Sequence, residues 1–348
     1  MKSFKFLIIC ILVIFNKTGN VLSENNLFSV NNIEILADSS IDNKSLANKA
    51  ITKGYEELIK RILLKEDIPK ANNLNLKQIK ELVSYYRIDN ENNTLKEMNK
   101  IFNITFDKDK IHDLFYQLGI SYSDIIKNEF YLLPIFKKDN QLYIYSQNFF
   151  YQQWNEIDQN ELVEFILPLE NIETIQKINL YKNNLLSLDI RDLFQEYGNK
   201  NLILVFIDEN KSSEVKIFIK MNLSSKMLSK NIIVKTQNLS QEDYYKKIII
   251  RVNNEIINLA KTQNMIDVRT PSFINTILKL DNKNNLVELN ERIKKIDLIE
   301  NIFVQEFNNQ YALIKIKYLG KVNKIVDRLK DQKIILKLAN DQWSLEII

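Results

Sequence analysis

The residues after Pro271 constrain the fold most, because their hydrophobic periodicity switches repeatedly between two and 3.6 residues. The alternation is clearest in Tyr311–Tyr318, where every second residue is Ala, Ile or Tyr. The pattern predicts strands at Phe273–Leu280, Ile302–Phe307, Tyr311–Tyr318 and, as a strand or hairpin, Ile334–Ile347, with helices at Asn285–Ile296 and Val322–Gln332. This order of elements is that of a ferredoxin-like βαββαβ sandwich, which we predict for residues 268–348.

The preceding residues, 24–265, predict an α/β domain with a mixed sheet, so the whole chain is assigned to the α/β (α+β) class. Predicted strands lie at Phe28–Ala37, Lys100–Asp107, Phe130–Phe136, Phe165–Leu169, Asn201–Ile207, Glu214–Met221 and Ile232–Lys235. Predicted helices lie at Asp42–Leu64, Leu76–Tyr86, Asp189–Tyr197 and Ser240–Lys261. A further short helix, capped by Asp107 or Asp109, is predicted to continue to Leu118. Pro134 predicts that its strand lies at a sheet edge or is interrupted there.

The N-terminus has the order of a secretory signal peptide. Lys2 and Lys5 precede an unbroken apolar run, Phe6–Phe15, and a cleavage site follows between Ser23 and Glu24. The run is about half of the roughly 20 residues that span a bilayer as a helix. We therefore expect an exported protein with residues 1–23 removed; the alternative is an inner-membrane protein anchored by an uncleaved N-terminus.

Cleavage changes the charge and removes the cysteine. Residues 1–23 contain three lysines and no acid, so the formal net charge falls from +4 to +4 − 3 = +1. A nearly neutral protein with interspersed charges offers no electrostatic footprint for nucleic acid. Cys10, the one cysteine, leaves with the signal segment, so no disulfide is expected. No later apolar stretch is long enough for a membrane span.

The residue inventory excludes most enzyme classes. With one histidine, His112, and one cysteine, the chain cannot build a Cys/His zinc site, and five scattered glycines exclude the usual phosphate-binding loops. We predict His112 to be a solvent-facing helix residue. No catalytic residue, cofactor or metal is predicted, and the chain is not expected to be an enzyme. An enzyme that uses carboxylates and hydroxyls alone remains an alternative, and it needs a cleft that spacing cannot reveal.

The most aromatic segment, Tyr143–Trp154, has two interpretations. Tyr145, Phe150, Tyr151 and Trp154 could line a groove that binds a partner, since aromatic side chains supply rigid contact area. The same residues could instead form core beneath the central sheet, and this interpretation is favoured because aromatic side chains are mostly buried. Full burial of Tyr145, Phe150 and Trp154 would exclude the groove.

Four segments resemble the DUF2066 family of uncharacterised exported bacterial proteins: residues 33–63, 102–120, 132–154 and 315–347. In the third segment the family tends to have Leu-Pro and later Asn-Pro-Trp-Arg before another Trp. Asn148, Phe150 and Trp154 match that pattern, whereas Phe149 and Tyr151 replace the Pro and Arg.

The resemblance implies export by a Gram-negative bacterium and no established activity. The N-terminal part is also similar in outline to small periplasmic α/β domains such as the TolB N-terminal domain, which is a likeness of fold alone. The leading hypothesis is a periplasmic, non-enzymatic adaptor that binds an envelope protein or a peptidoglycan-associated component. Binding would use the aromatic segment or an exposed sheet edge. The alternatives are a carboxylate-dependent envelope hydrolase and a purely structural module of an envelope complex.

Overall fold

The computed structural model describes residues 27–37, 42–90, 98–125, 128–157, 163–198, 200–209, 214–235, 239–280, 285–339 and 341–348. The predicted signal segment and its predicted cleavage site lie outside these residues. Helices and strands are mixed throughout the described chain, which confirms the α+β class.

The helices, in chain order, are α1 (Asn43–Ile62), α2 (Ile68–Ala71), α3 (Leu76–Leu82), α4 (Lys108–Leu118), α5 (Phe149–Ile157), α6 (Ile172–Leu180), α7 (Ile190–Leu193), α8 (Gln241–Gln263), α9 (Asn285–Ile293) and α10 (Val322–Asp331). The strands are β1 (Ser29–Ala37), β2 (Val83–Asn90), β3 (Met98–Phe106), β4 (Tyr122–Ser123), β5 (Asn128–Lys138), β6 (Gln141–Tyr143), β7 (Val163–Ile166), β8 (Asn201–Glu209), β9 (Glu214–Leu223), β10 (Lys226–Lys235), β11 (Met265–Ile266), β12 (Ser272–Lys279), β13 (Ile299–Phe307), β14 (Tyr311–Tyr318), β15 (Ile334–Ala339) and β16 (Gln342–Ile347).

The chain forms two compact units, each of them discontinuous in sequence. One unit contains residues up to 58, 74–116 and 270–348, and the other contains 59–73 and 117–269. The chain passes between the units four times, and the last passage, at Thr270, is close to the predicted domain boundary. The residues predicted as one N-terminal domain, 24–265, are divided between the two units.

The first unit contains an antiparallel three-stranded sheet in the order β1-β3-β2. Its core includes Phe28, Ile33, Phe102 and Tyr55 of α1. The predicted helix over Leu76–Tyr86 is wrong after Leu82, because the residues that follow pair with β3 as β2. The sequence there is rich in Tyr, Val and Ile, which suit a pleated strand better than a helix.

The same unit contains a five-stranded sheet in the order β13-β14-β12-β16-β15. The predicted succession of strands and helices is confirmed over Thr270–Ile348. The chain ends in a hairpin, and its second strand, β16, lies beside β12 and runs parallel to it. The single last strand of a plain βαββαβ sandwich is thus replaced by two strands.

The second unit is built on a six-stranded sheet in which β10-β9-β8-β5 are successive neighbours. Strand β5 runs parallel to β7 and β8, and its side chains are buried on both faces as its apolar run predicts. One face packs on residues of α5 and α8, and the other packs on residues of α6 and α7. The outer edge of β5 pairs with β7 up to Tyr131 and with β6 from Phe136, so Pro134 lies where this edge has no paired strand, as predicted for an edge position. The strand itself is not interrupted, because it continues through Pro134 and pairs there with β8.

Strands β9 and β10 form a long hairpin at one side of this sheet. Ser224 and Ser225 connect them with φ angles of 48° and 66°. A two-residue turn with both residues in the left-handed region matches the twist of the flanking strands. The register then runs without a shift from Lys226 opposite Leu223 to Lys235 opposite Glu214.

Candidate functional site

The predicted aromatic groove fails, because its side chains belong to the core. Tyr145 is 1% exposed, and Phe150 and Trp154 are 0% exposed. Phe150 contacts the rings of Phe136 and Tyr245, and Trp154 contacts Phe165. Tyr151, the fourth predicted residue, is half-buried, and its hydroxyl donates to the Pro168 carbonyl at 2.8 Å. These side chains stabilise the second unit and leave no groove among themselves for a partner.

Asn148 holds the aromatic segment in place. Its side-chain amide donates to the Pro134 carbonyl at 2.9 Å, and its side-chain oxygen accepts from the Phe150 amide at 3.0 Å. The first bond fixes the segment to β5, and the second satisfies an amide at the start of α5. Asn148 is 0% exposed. Asn148 and the Leu133-Pro134 segment are therefore in direct contact, and their contact holds the start of α5 against β5.

His112 is buried, so its predicted position facing solvent is wrong. Its ring packs edge-on against Phe28, with centroids 5.6 Å apart, and its Nδ1 lies 4.0 Å from the Glu300 carboxylate. Burial and the nearby Lys108 ammonium lower the pKa of His112 to about 4, although Glu300 acts in the opposite direction. The ring is therefore neutral at pH 7, which makes its burial acceptable. Glu300 itself is paired with Lys317 at 2.7 Å.

Lys261 is a second buried ionisable group with a structural role. Its ammonium donates to the Lys60 and Leu63 carbonyls at the C-terminal end of α1. Burial lowers the pKa of Lys261 to about 8. The carbonyls at the end of a helix have no intrahelical donor, so the lysine satisfies them.

A polar cluster lies at the carboxyl ends of the parallel strands β5 and β8, where α/β sheets commonly bind ligands. Glu209 accepts from the Tyr245 hydroxyl and pairs with Lys138 at 3.1 Å. Gln241 donates to the same hydroxyl at 2.8 Å. Burial raises the pKa of Tyr245, so the phenol stays protonated at neutral pH. The polar atoms of this cluster bond one another, and these bonds hold the ends of β5 and β8 against α8.

Three described carboxyl groups are held in their ionised form by hydrogen bonds. Asp42, Asp189 and Asp267 have pKa values below the usual range because they accept hydrogen bonds from Ser45, Arg191 and Arg269 respectively. A general acid requires the opposite displacement. An open depression lies over α1, lined by Asn48, Lys49, Thr52, Lys53, Glu56 and Leu76. It contains one acid. Within the described ranges, no three His, Cys, Asp or Glu side chains gather as metal ligands.

The outer strands of the sheets remain as candidate binding surfaces. A strand at a sheet edge presents unpaired N–H and C=O groups from every second residue. The longer edge strands β1, β2 and β13 each contain a register shift, and β13 contains two. Such bulges bend a strand and discourage further pairing. Strands β6, β7 and β15 are shorter and extend over three, four and six residues.

Strand β10 differs from these edges because it is both long and regular. It extends over ten residues without a register shift, and no other strand in the described part of the chain pairs with its outer edge. Its residues are mostly exposed, including Ile233 at 60% and Met227 at 46%. It contains three lysines and no acid, proline or glycine. This strand is the candidate functional site.

The sequence predicted less than half of β10. Alternation is visible from Ile232 onward, whereas Lys226–Asn231 reads as a polar connection. Most residues of β10 are exposed because it is the outermost strand of its sheet. An exposed strand needs few apolar residues, so its apolar alternation is weak. The tight Ser224–Ser225 turn after an alternating strand is the signal that could have predicted the hairpin.

No family model matches the chain, and no curated protein matches it. One solved structure, described as the crystal structure of an uncharacterized protein, aligns with 40% of this chain and 90% of its own length, at 7% identity and a TM-score of 0.17. No helix among the described residues is long and apolar enough to cross a membrane.

Proposed function

We propose that this chain is an exported, non-enzymatic binding protein of a bacterial envelope, which recruits its partner by strand addition to β10. The observation that carries the proposal is the exposed, unshifted edge of β10. Main-chain hydrogen bonds along such an edge supply affinity for an extended peptide segment. The signal segment and the resemblance to DUF2066 proteins support a periplasmic location with residues 1–23 removed.

The burial of the ionisable groups supports a binding role over a catalytic one. His112, Lys261 and Tyr245 are the natural candidates for acid–base chemistry, and each packs inside a unit with a structural neighbour. The carboxylate hydrolase and the structural module remain alternatives for the same chain.

Site-specific photo-crosslinking in intact cells tests the proposal. A photo-reactive phenylalanine derivative at Ile233 should give a defined crosslinked product. The same derivative at Val287 of α9, which is 61% exposed, serves as the matched control. A product from Ile233 and not from Val287 supports binding at β10. Equal products from both positions, or none from Ile233, would contradict it.

Two neighbouring proline substitutions, Ser229→Pro and Lys230→Pro, sharpen the test. Because N–H groups of successive residues alternate between the two edges, one proline removes a bond to β9 and the other removes an outward donor. We expect the variant that keeps its thermal stability to lose the crosslink. Retention of the crosslink by both variants would argue against main-chain pairing.

A further inference from the structure

We infer that the partner segment of β10 is an extended acidic strand and not a second copy of this chain; the inference rests on the proposed binding at this edge. Hairpin β9–β10 contains five lysines, at positions 216, 220, 226, 230 and 235, and one acid, Glu214. The charge of this hairpin is therefore strongly positive, although the mature chain is nearly neutral.

The first two lysines of β10, Lys226 and Lys230, have no acidic residue directly opposite them in the hairpin. Lys226 lies opposite Leu223, and Lys230 lies opposite Ile219. Both side chains are exposed. Residues four apart in a strand point to the same face, so the two ammonium groups stand on one side of the sheet, about 13 Å apart along the strand. A bound strand with acids at positions i and i+4 would place one carboxylate beside each lysine.

The same charges oppose pairing between two copies of β10. An antiparallel pair of these strands would bring three lysines from each copy together, and like charges on adjacent strands are destabilising. Lysines at an edge are a known protection against self-association. Here they repel an identical edge and attract a strand of opposite charge.

The surroundings of Lys220 show that not every lysine in the hairpin is available. Its ammonium donates to the Leu188 carbonyl at 2.7 Å. Lys235 lies opposite Glu214. Lys226 and Lys230 are therefore the pair that distinguishes an acidic partner from a neutral one.

Peptide binding to the purified full chain tests this inference. The probe is a fluorescent peptide of the length of β10 that alternates Val and Thr and has Glu at positions i and i+4. Its counterpart has Gln at both positions. We expect the acidic peptide to bind about three- to tenfold more tightly in low salt, and the difference to disappear at high salt. Equal affinity for both peptides would overturn the inference.

Paired lysine variants locate the effect. Lys226→Gln with Lys230→Gln should reduce binding of the acidic peptide to that of the Gln peptide and leave the Gln peptide unaffected. The control is Lys77→Gln with Lys80→Gln on α3, where both lysines are exposed and the charge change is the same. A loss of affinity in the control variant as large as in the β10 variant would also overturn the inference.

The outcomes separate this inference from the proposed function. If both peptides bind with equal affinity and slow the amide exchange of β10, strand addition is supported and the preference for acidic segments is contradicted. If neither peptide binds and no crosslink forms at Ile233, both the proposed strand addition and the preference for acidic segments are contradicted. A dimer in sedimentation that dissociates on Ser229→Pro or Lys230→Pro would show that a second copy occupies the edge, which contradicts the inference directly.

Discussion

Some residues in this protein have structural roles that their residue type does not predict. Asn148 is polar, yet it is fully buried and makes one bond with each end of its side-chain amide. Removing it would leave the Pro134 carbonyl and the Phe150 amide without their partner. A buried polar group without a partner destabilises the folded protein by more than its hydrogen bond contributed, because the group cannot bond to water instead.

We expect Asn148→Ala to lower the free energy of unfolding by about 2–4 kcal/mol. The control, Gln152→Ala, removes the bond from an exposed side chain to the Ser146 carbonyl and should cost less than about 1 kcal/mol. Urea unfolding in a Trp343→Phe background measures both, because Trp154 is then the only tryptophan and lies on α5. Equal effects of the two variants would contradict the account.

His112 makes the first unit sensitive to acid. Its pKa in the folded protein is about 4, below the ordinary value of 6.5, so the unfolded chain binds more protons between these values. Stability from the neutral ring is therefore present above pH 6.5 and is lost as the pH falls towards 4, by up to about 3 kcal/mol.

His112→Phe should remove this pH dependence and retain the ring contact with Phe28. The measurement is urea unfolding between pH 4.5 and 7 in a Trp154→Phe background, with Trp343 reporting on the first unit. Since His112 is the one histidine, any difference between the two proteins in how the free energy of unfolding depends on pH is caused by His112. Parallel slopes would show that the ring is not buried as described.

At the level of elements, sequence periodicity predicted most helices and strands, and the exceptions have physical causes. Strand β14 and helices α8 and α10 lie within a few residues of their predicted bounds, because each has one buried face with a clear period. Strand β2 was predicted as helix because its exposed tyrosines, Tyr85 and Tyr86, break the alternation. Pairing with β3 decides its structure, and a single sequence does not contain that information.

The hairpin turn at Ser224 and Ser225 allows a test of β10 itself. Both residues have positive φ, which serine tolerates poorly and Asn-Gly favours. We expect Ser224→Asn with Ser225→Gly to raise the free energy of unfolding by about 0.5–1 kcal/mol. Val at both positions should lower it, because β-branched residues are strained at positive φ. Urea unfolding followed by Trp154 fluorescence distinguishes the two, and the reverse order would contradict the described turn.

For the whole molecule, the α+β class followed from sequence, whereas the arrangement of the sheets did not. The division of residues 24–265 between two units depends on contacts far apart in the chain, such as the bond from Lys108 to the Ile299 carbonyl. The candidate site was missed for a related reason. Aromatic residues suggested binding and are buried, whereas the exposed strand reads as a polar connection.

The binding of an extended strand to β10 is most directly tested by residue-resolved amide hydrogen exchange of the full chain, with and without the acidic peptide. We expect slower exchange at every second amide of Lys226–Lys235, because only outward N–H groups gain a partner. Amides of the bulged edge β13 should exchange unchanged and serve as the internal control. Unchanged exchange throughout β10 when the peptide is bound, or protection at β13 instead, would contradict binding at this edge.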